Sequence, residues 1–229
     1  GMSELSFEER FGMLVDAEWT ARHNNHIRRL VKSSGMKSNA CVEDIDWSLE
    51  RNLDRQLVLQ LANCTWISQG LNAIVTGPTG TGKTWLSCAL GTSACRNGYT
   101  TLYIRVPRLL TNLVLSRGDG SYNKLMRDLK KTSLLILDDW GLSPLNAVES
   151  RDLLEVIEDR CQLHSTLVTS QLPVSAWHGL FEEPTVADAI MDRLIHDAYR
   201  IELKGDTMRR NRSRIKEAGA AGETAQAPS

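Results

Sequence analysis

The stretch Gly77-Pro-Thr-Gly-Thr-Gly-Lys83-Thr84 decides the fold that this sequence predicts. An apolar run with the character of a buried strand, Asn72–Thr76, precedes it, and an apolar segment with the character of a helix begins at Trp85. Strand, glycine-rich loop and helix in this order are typical of a phosphate-binding loop, because glycines let backbone N–H groups converge on anionic oxygens. The alternative, an ordinary glycine-rich turn, is disfavoured because every fixed position of the motif is filled.

The loop predicts a site for ATP with Mg²⁺. Lys83 supplies a mobile cation for the terminal phosphates, and the Thr84 hydroxyl is a candidate Mg²⁺ ligand. The positive end of the following helix strengthens the attraction for phosphate. The residues of this stretch that we predict to bind the nucleotide are Gly77, Pro78, Thr79, Gly80, Thr81, Gly82, Lys83, Thr84 and Trp85.

A second motif, Leu134-Leu-Ile-Leu-Asp138-Asp139, follows some fifty residues later. Its apolar run predicts a strand that is buried on both faces, as in a parallel sheet, where ligands lie at the carboxyl ends of the strands. Asp138 is predicted to hold Mg²⁺ through its water shell, and Asp139 to orient and deprotonate the attacking water. The alternative is a turn with two solvated acids.

The predicted strand that begins at Ser165 also ends in polar residues, and three of them are candidates for contact with the γ-phosphate or its water. Thr169, Ser170 and Gln171 compete for this role, and ordinary hydrogen bonds within a turn are the alternative for each. In the lead-in to the loop, Ile45 and Trp47 are candidates either for contact with the base or for plain packing.

Basic residues are concentrated in two places, although the formal net charge is −1. Residues 105–131 carry seven Lys or Arg against two Asp, and a helical N-terminal segment carries more. Such surfaces are either solvated helix faces or sites that contact DNA phosphates, the main source of sequence-independent DNA affinity. The residues that we assign to DNA binding are Arg28, Arg29, Arg108, Arg117, Lys124 and Arg127.

The rest of the chain predicts a small N-terminal helical domain and a single larger domain. Ser6 and Glu9 form a capping box that opens the first of two helical segments, and Ser33-Ser-Gly35 ends the second. Apolar residues at helical spacing predict one helix from Leu53 to Gly70. No run of about 18 apolar residues predicts a membrane span, no signal peptide is evident, and five scattered cysteines fit a reducing cytoplasm.

We predict an α/β fold with three layers, built on a parallel five-stranded sheet in the order 5-1-4-3-2. The strands are 72–76, 100–104, 134–138, 165–170 and 199–203, within an ATPase core of residues 46–212. Residues 1–45 form the helical domain, for DNA binding or assembly, and residues 213–229 a disordered tail. No full helical lid fits after residue 203, so we expect a neighbouring subunit to complete the site.

The sequence resembles the IstB-like ATPases, transposition helper proteins of bacterial insertion sequences in the DnaC-type branch of the AAA+ superfamily. The resemblance covers about residues 3–216 and rests on an ordered set of motifs. Besides the two motifs above, these are Thr169-Ser-Gln-Leu-Pro173, Asp188-Ala-Ile-Met-Asp-Arg-Leu194 and Lys204-Gly-Asp-Thr-Met-Arg209.

The resemblance implies site residues that the spacing alone does not give. Gln171 lies at the sensor position, where asparagine is usual, Arg193 matches the arginine finger that acts in trans, and Arg209 matches the second sensor. The alternative for Arg193 is an exposed arginine paired with Asp192 or Asp197.

The resemblance also implies a cytoplasmic ATPase that binds double-stranded DNA without sequence preference, self-assembles on it and delivers it to a partner transposase. A replicative helicase loader is the alternative, because the same core would serve both. A P-loop kinase of small molecules is disfavoured by the Asp138-Asp139 tip and by the missing lid.

Overall fold

The computed structural model describes residues 6–205 and Thr207, which form eight α-helices and five β-strands. Arg209 and the predicted tail, residues 213–229, lie outside the described residues. The helices are α1 Phe7–Ser33, α2 Arg55–Ala62, α3 Thr65–Ser68, α4 Lys83–Arg96, α5 Val106–Asp119, α6 Tyr122–Lys131, α7 Ala147–Arg160 and α8 Pro184–Ile195; the strands are β1 Asn72–Thr76, β2 Thr101–Arg105, β3 Leu134–Trp140, β4 Ser165–Ser170 and β5 Ala198–Glu202.

All five strands are parallel and follow the order β2-β3-β4-β1-β5, which confirms the predicted sheet. β1 and β4 have the predicted bounds, and β2 and β5 are shifted by one residue. β3 continues beyond Asp138 to Trp140, through a register shift against β4. This extension carries both carboxylates to the edge where the loop after β1 also emerges.

Helices cover both faces of the sheet and give it two cores. On one face, α2, α3 and α4 pack with the segment before them on Ala73, Val75 and Ile136. On the other face, α5 to α8 pack on Ile74 and Leu137. Because side chains alternate along a strand, the apolar residues at the centre of β1 and at the start of β3 serve both layers. This burial fixes the strand ends that carry the site.

The N-terminal region is one continuous helix, so the prediction of two helical segments is wrong. The capping box is confirmed: Ser6 Oγ accepts from the Glu9 amide (3.2 Å), and Glu9 Oε2 accepts from the Ser6 amide (2.7 Å). The helix contains no proline, and Gly12 is the one glycine within it. Because helix formation is cooperative once begun, a single glycine does not end it. Residues 6–26 are all exposed, and only the last part of α1 contacts α4 and β2.

The predicted helix from Leu53 to Gly70 is also divided. Cys64 adopts a left-handed backbone (φ 61°) and separates α2 from α3. The segment before α2 contains a short 3₁₀ turn at Val42–Asp44. Across residues 6–205 and 207, no helix combines the length and the apolar character needed to cross a membrane.

Candidate active site

A cavity of about 570 Å³ lies at the carboxyl ends of β1, β3 and β4. The phosphate-binding loop, both predicted strand tips and the segment before α2 contribute to its wall. This position matches the general location of ligands in parallel sheets. The lining residues are Asn39, Asp44, Ile45, Asp46, Arg51, Thr79, Gly80, Gly82, Lys83, Thr84, Trp85, Asp139 and Gln171.

The loop between β1 and α4 needs its glycines for backbone reasons. Gly82 immediately precedes α4 with a φ of 99°, a left-handed conformation that side chains disfavour. Gly77 has a φ of 147°, and a Cβ there would collide with the carbonyl of Leu203. Pro78 and Thr81 complete the loop behind the cavity wall, where Thr81 Oγ1 donates to the Pro78 carbonyl (2.9 Å).

Lys83 lies buried at the first turn of α4, with its ammonium group bent back over the loop. Its Nζ donates to the carbonyls of Gly77 (2.7 Å) and Pro78 (2.8 Å). A cation next to the N-terminus of a helix creates a concentrated positive field that favours phosphate. The arrangement therefore fits the predicted role in phosphate binding.

Asp138 is almost fully buried and accepts hydrogen bonds from three hydroxyl groups. Thr84 Oγ1 lies 3.1 and 3.0 Å from its two carboxylate oxygens, and Tyr103 and Thr169 also donate to it. Burial and the adjacent carboxylate raise the pKa of the Tyr103 phenol, which keeps it a donor. Thr84 and Asp138 bring a hydroxyl and a carboxylate together, and oxygen ligands of these kinds are the ones that Mg²⁺ prefers.

Asp139 lines the cavity with a backbone in the left-handed region (φ 60°). Arg105, at the end of the neighbouring strand β2, forms an ion pair with its carboxylate, and this bond raises the pKa of the guanidinium. The Asp139 amide donates to Thr169 Oγ1 (3.4 Å). The predicted base therefore faces the cavity, but Arg105 holds one of its oxygens, a contact that the sequence analysis missed.

The three polar residues at the end of β4 have different positions. Gln171 lines the cavity and accepts a hydrogen bond from Thr79 Oγ1 (2.7 Å). Thr169 is bound to Asp138, and Ser170 Oγ donates to the Trp140 carbonyl (2.8 Å). Of the three, Gln171 is thus the side chain placed to meet a bound phosphate.

In the lead-in segment, Ile45 lines the cavity, whereas Trp47 lies in a separate groove under the guanidinium of Arg55 (5.5 Å to the ring centroid). The cavity wall also contains Arg51, which the sequence analysis did not select. A single arginine in an irregular segment follows no motif or period, so no local signal could have identified it.

Arg193 lies far from the cavity of its own subunit. Its carbonyl accepts from Asn72 Nδ2 (2.9 Å), at the end of β1 opposite the phosphate-binding loop. Its guanidinium pairs with Glu158 (2.7 Å) on α7, and not with the alternatives Asp192 or Asp197. Any action of Arg193 on a nucleotide would therefore require a neighbouring subunit.

The residues assigned to DNA binding fall into two groups, one on each side of the sheet. Arg28 and Arg29 are exposed on α1, which joins the layer of α4, and the other four lie on α5 and α6. Arg117 is engaged by Asp152 (2.5 Å) and stacks on the Tyr122 ring. Among the described residues, Arg108, Lys124 and Arg127 are exposed and form no ion pair.

Comparison with known sequences gives a match over nearly the whole chain. The profile of the family described as "IstB-like ATP binding protein" matches residues 2–216. The insertion sequence ATP-binding protein y4pL of Sinorhizobium fredii is 49% identical over 211 residues, which cover 92% of this chain and 86% of that protein. The ATP-binding protein of insertion sequence IS1162 from Pseudomonas fluorescens is 50% identical over 172 residues, covering 75% and 74%.

Solved structures share the fold at lower identity. The crystal structure of DnaI has a TM-score of 0.63 and 24% identity, covering 77% of this chain and 94% of that one. The replication initiator DnaA bound to AMPPCP and single-stranded DNA has a TM-score of 0.61 and 21% identity, covering 80% and 56%. At these identities the likeness shows the fold alone, and it agrees with the sheet order above.

Proposed function

The chain belongs to the IstB-like ATP-binding protein family, and from this premise we propose that it hydrolyses ATP with Mg²⁺, assembles on double-stranded DNA and delivers that DNA to a partner transposase. Nucleotide binding follows from the family, and the names of its relatives place them in insertion sequences. The observation that carries the proposal of hydrolysis is that Lys83, Thr84 and Asp139 line one cavity, while the buried Asp138 accepts from Thr84 at its edge.

Each side chain has a distinct part in the proposed reaction. Lys83 leaves its two carbonyl partners to bind the terminal phosphates, and Thr84 with Asp138 holds Mg²⁺. The metal ion neutralises charge that develops on the transferred phosphoryl group. Asp139 aligns the attacking water and accepts its proton, and Gln171 contacts the γ-phosphate or that water.

The contact between Arg105 and Asp139 bears on when hydrolysis occurs. While Arg105 donates to Oδ2 of Asp139, that oxygen is occupied and less available to an attacking water. Full activity therefore requires Arg105 to release Asp139. Arg105 lies at the start of the basic segment 105–131, where we propose that DNA binds.

The site is proposed to be completed by a second copy of the chain. Arg193 is at the wrong end of β1 to reach its own cavity, so we assign it to the cavity of a neighbouring subunit. There it would stabilise the negative charge of the transition state. Arg209, outside the described residues, is proposed to contact the nucleotide in cis.

DNA binding is assigned to the exposed basic residues that have no acidic partner in the described chain. Arg108, Lys124 and Arg127 lie on α5 and α6 and can contact phosphates without first breaking an ion pair. Arg28 and Arg29 offer a second contact on α1. Because phosphate contacts carry no base information, binding is expected to be insensitive to sequence and steeply dependent on salt.

Phosphate release in four conditions tests the proposal: without DNA, with each of two unrelated linear duplexes, and with EDTA. We expect turnover that needs Mg²⁺ and increases similarly with either duplex. Asp139→Asn should bind ATP but lose turnover, whereas the control Asp128→Asn, at an exposed position on α6, should retain it. Turnover by Asp139→Asn at the wild-type rate would remove Asp139 from the mechanism.

Electron microscopy with ATP or ADP, with and without DNA, tests the assembly. Particles that form on DNA with ATP support the proposal, and monomers under every condition contradict it. Copurification of an adjacent transposase supports delivery of target DNA, whereas copurification of a hexameric helicase would favour the loader.

A further inference from the structure

Arg51 lies in the wall of the nucleotide cavity, in the irregular segment before α2. Only 9% of its surface is exposed. Its Nη1 lies 3.6 Å from the point where a Cβ on Gly82 would be, so the guanidinium lies against the loop just before α4.

Two contacts hold Arg51 in this position. Its Nη2 donates to the Asp46 carbonyl (2.7 Å), and its own carbonyl accepts from the Lys204 amide (2.9 Å), just after β5. The first bond holds one end of the guanidinium, and the second holds the backbone. The orientation of Arg51 is thus set by the fold before any ligand binds.

Another donor of the guanidinium, Nε, is buried and has no hydrogen-bond partner among residues 6–205 and 207. Folded proteins pair almost all buried donors, because an unpaired one loses its bonds to water without replacement. Arginine also stays charged at any physiological pH. A buried, charged group with an unused donor in a ligand cavity indicates a site prepared for an anion.

Few cationic side chains line the cavity for a ligand that carries several negative charges. Lys83 and Arg51 are its cationic side chains, while Asp44, Asp46 and Asp139 are its acids. Asp139 is already paired with Arg105, outside this group. A nucleoside triphosphate adds several negative charges beside the loop, which one lysine and one Mg²⁺ only partly neutralise.

We propose that Arg51 is a nucleotide-binding residue that donates hydrogen bonds to the phosphates of a bound nucleoside di- or triphosphate. This inference rests on the proposed use of ATP at this cavity. The phosphates are the expected target because Gly82 and the N-terminus of α4, beside the guanidinium, are where backbone N–H groups bind phosphate oxygens. A planar guanidinium can offer two parallel donors to such oxygens.

Titration with a fluorescent ADP analogue, and competition by ATP and by adenosine, test this assignment. Arg51→Gln removes the charge, and Arg51→Lys keeps the charge but loses the planar fork. We expect ADP and ATP to bind at least fivefold more weakly to Arg51→Gln, with a smaller loss for Arg51→Lys. Adenosine has no phosphate, so its affinity, measured by competition with the fluorescent analogue, should be the same for Arg51→Gln and the wild type.

Arg55→Gln is the matched control, since this exposed arginine lies four residues away over Trp47 and outside the cavity. It should bind ADP as the wild type does. Melting temperature with and without ADP separates folding from binding: for Arg51→Gln, the free protein should melt cooperatively, and the rise caused by ADP should shrink. A variant that no longer melts cooperatively is replaced by Arg51→Lys for the same comparison.

The outcomes separate this inference from the proposed function. If the wild type fails to bind ADP and ATP, the proposed function fails. If the wild type binds them and Arg51→Gln binds them less than fivefold more weakly, only the assignment of Arg51 fails. An equal loss of affinity for adenosine also overturns it, because the contact would then be to the nucleoside.

Discussion

The helices α4 and α1 use their side chains in opposite ways. In α4, eleven of fourteen residues are buried. Its buried hydroxyl groups donate hydrogen bonds to backbone carbonyls within the helix, as Thr92 Oγ1 does to the Cys88 carbonyl (3.0 Å). In α1, among the 27 helical residues, Leu30 is the one classed as buried. Yet the exposed part of α1 carries large apolar side chains: Phe7, Phe11, Met13, Leu14, Val15 and Trp19.

This difference teaches that an apolar sequence does not by itself place a helix in the core. The helix α4 is buried because the sheet and its neighbouring helices enclose it on every side. The apolar residues of α1 lie along its first four turns, where nothing in the described chain covers them. An exposed apolar stripe of this kind is typical of an interaction surface, and it is where we propose that copies of the chain meet.

The largest expected effect comes from the first residue of α4. Lys83→Ala removes a buried cation of the cavity, and loss of one partner of a buried ion pair costs about 3–5 kcal/mol. Affinity for ATP should therefore fall by roughly two to four orders of magnitude, as measured by fluorescence titration. Lys37→Ala, at an exposed position, is the control, and tight ATP binding by Lys83→Ala would refute the phosphate role.

A matched pair of leucines measures the contrast between the two helices directly. Leu90 in α4 is 1% exposed, and Leu14 in α1 is 68% exposed. Leu90→Ala should lower the free energy of unfolding by about 2–5 kcal/mol, because it leaves a cavity. Leu14→Ala should change it by less than about 0.5 kcal/mol in denaturant titrations of the monomer. Equal losses would mean that α1 packs against the core.

The apolar stripe should matter for assembly more than for folding. Replacing both Phe11 and Leu14 by serine should weaken self-association by about tenfold, because each substitution removes apolar surface area from the proposed interface. Sedimentation velocity with ATP and DNA measures this, and the melting temperature of the monomer should stay unchanged. The control replaces Leu163, which is also exposed but lies on the core domain. Unchanged association would exclude α1 from the interface.

The smallest effect is expected for the surface ion pair of α1. Arg22 and Glu18 are one helical turn apart with a separation of 2.6 Å, and both are well exposed. Such pairs contribute about 0.3–0.5 kcal/mol, so Arg22→Ala should barely change helix content or unfolding. A larger loss in circular dichroism would show that α1 depends on this pair in the absence of a partner.

The features that are encoded locally could be predicted from the sequence. The loop from Gly77 to Thr84, the two carboxylates at the end of β3 and the capping box at Ser6 each lie within a few residues, and the apolar runs gave the strands with bounds correct to one or two residues. The sheet order followed because this motif order is typical of one fold. The continuity of α1 was missed, since the polar stretch near residue 20 carries no apolar period.

The contacts between distant residues could be found only in the folded molecule. Arg105 faces Asp139 because β2 lies beside β3, and Arg117 meets Asp152 because α5 packs near α7. Arg51 reaches Gly82 because the chain after β5 holds its backbone. These contacts join residues that are about 30 or more apart in the sequence, so they depend on strand alignment and helix packing, which no local pattern records.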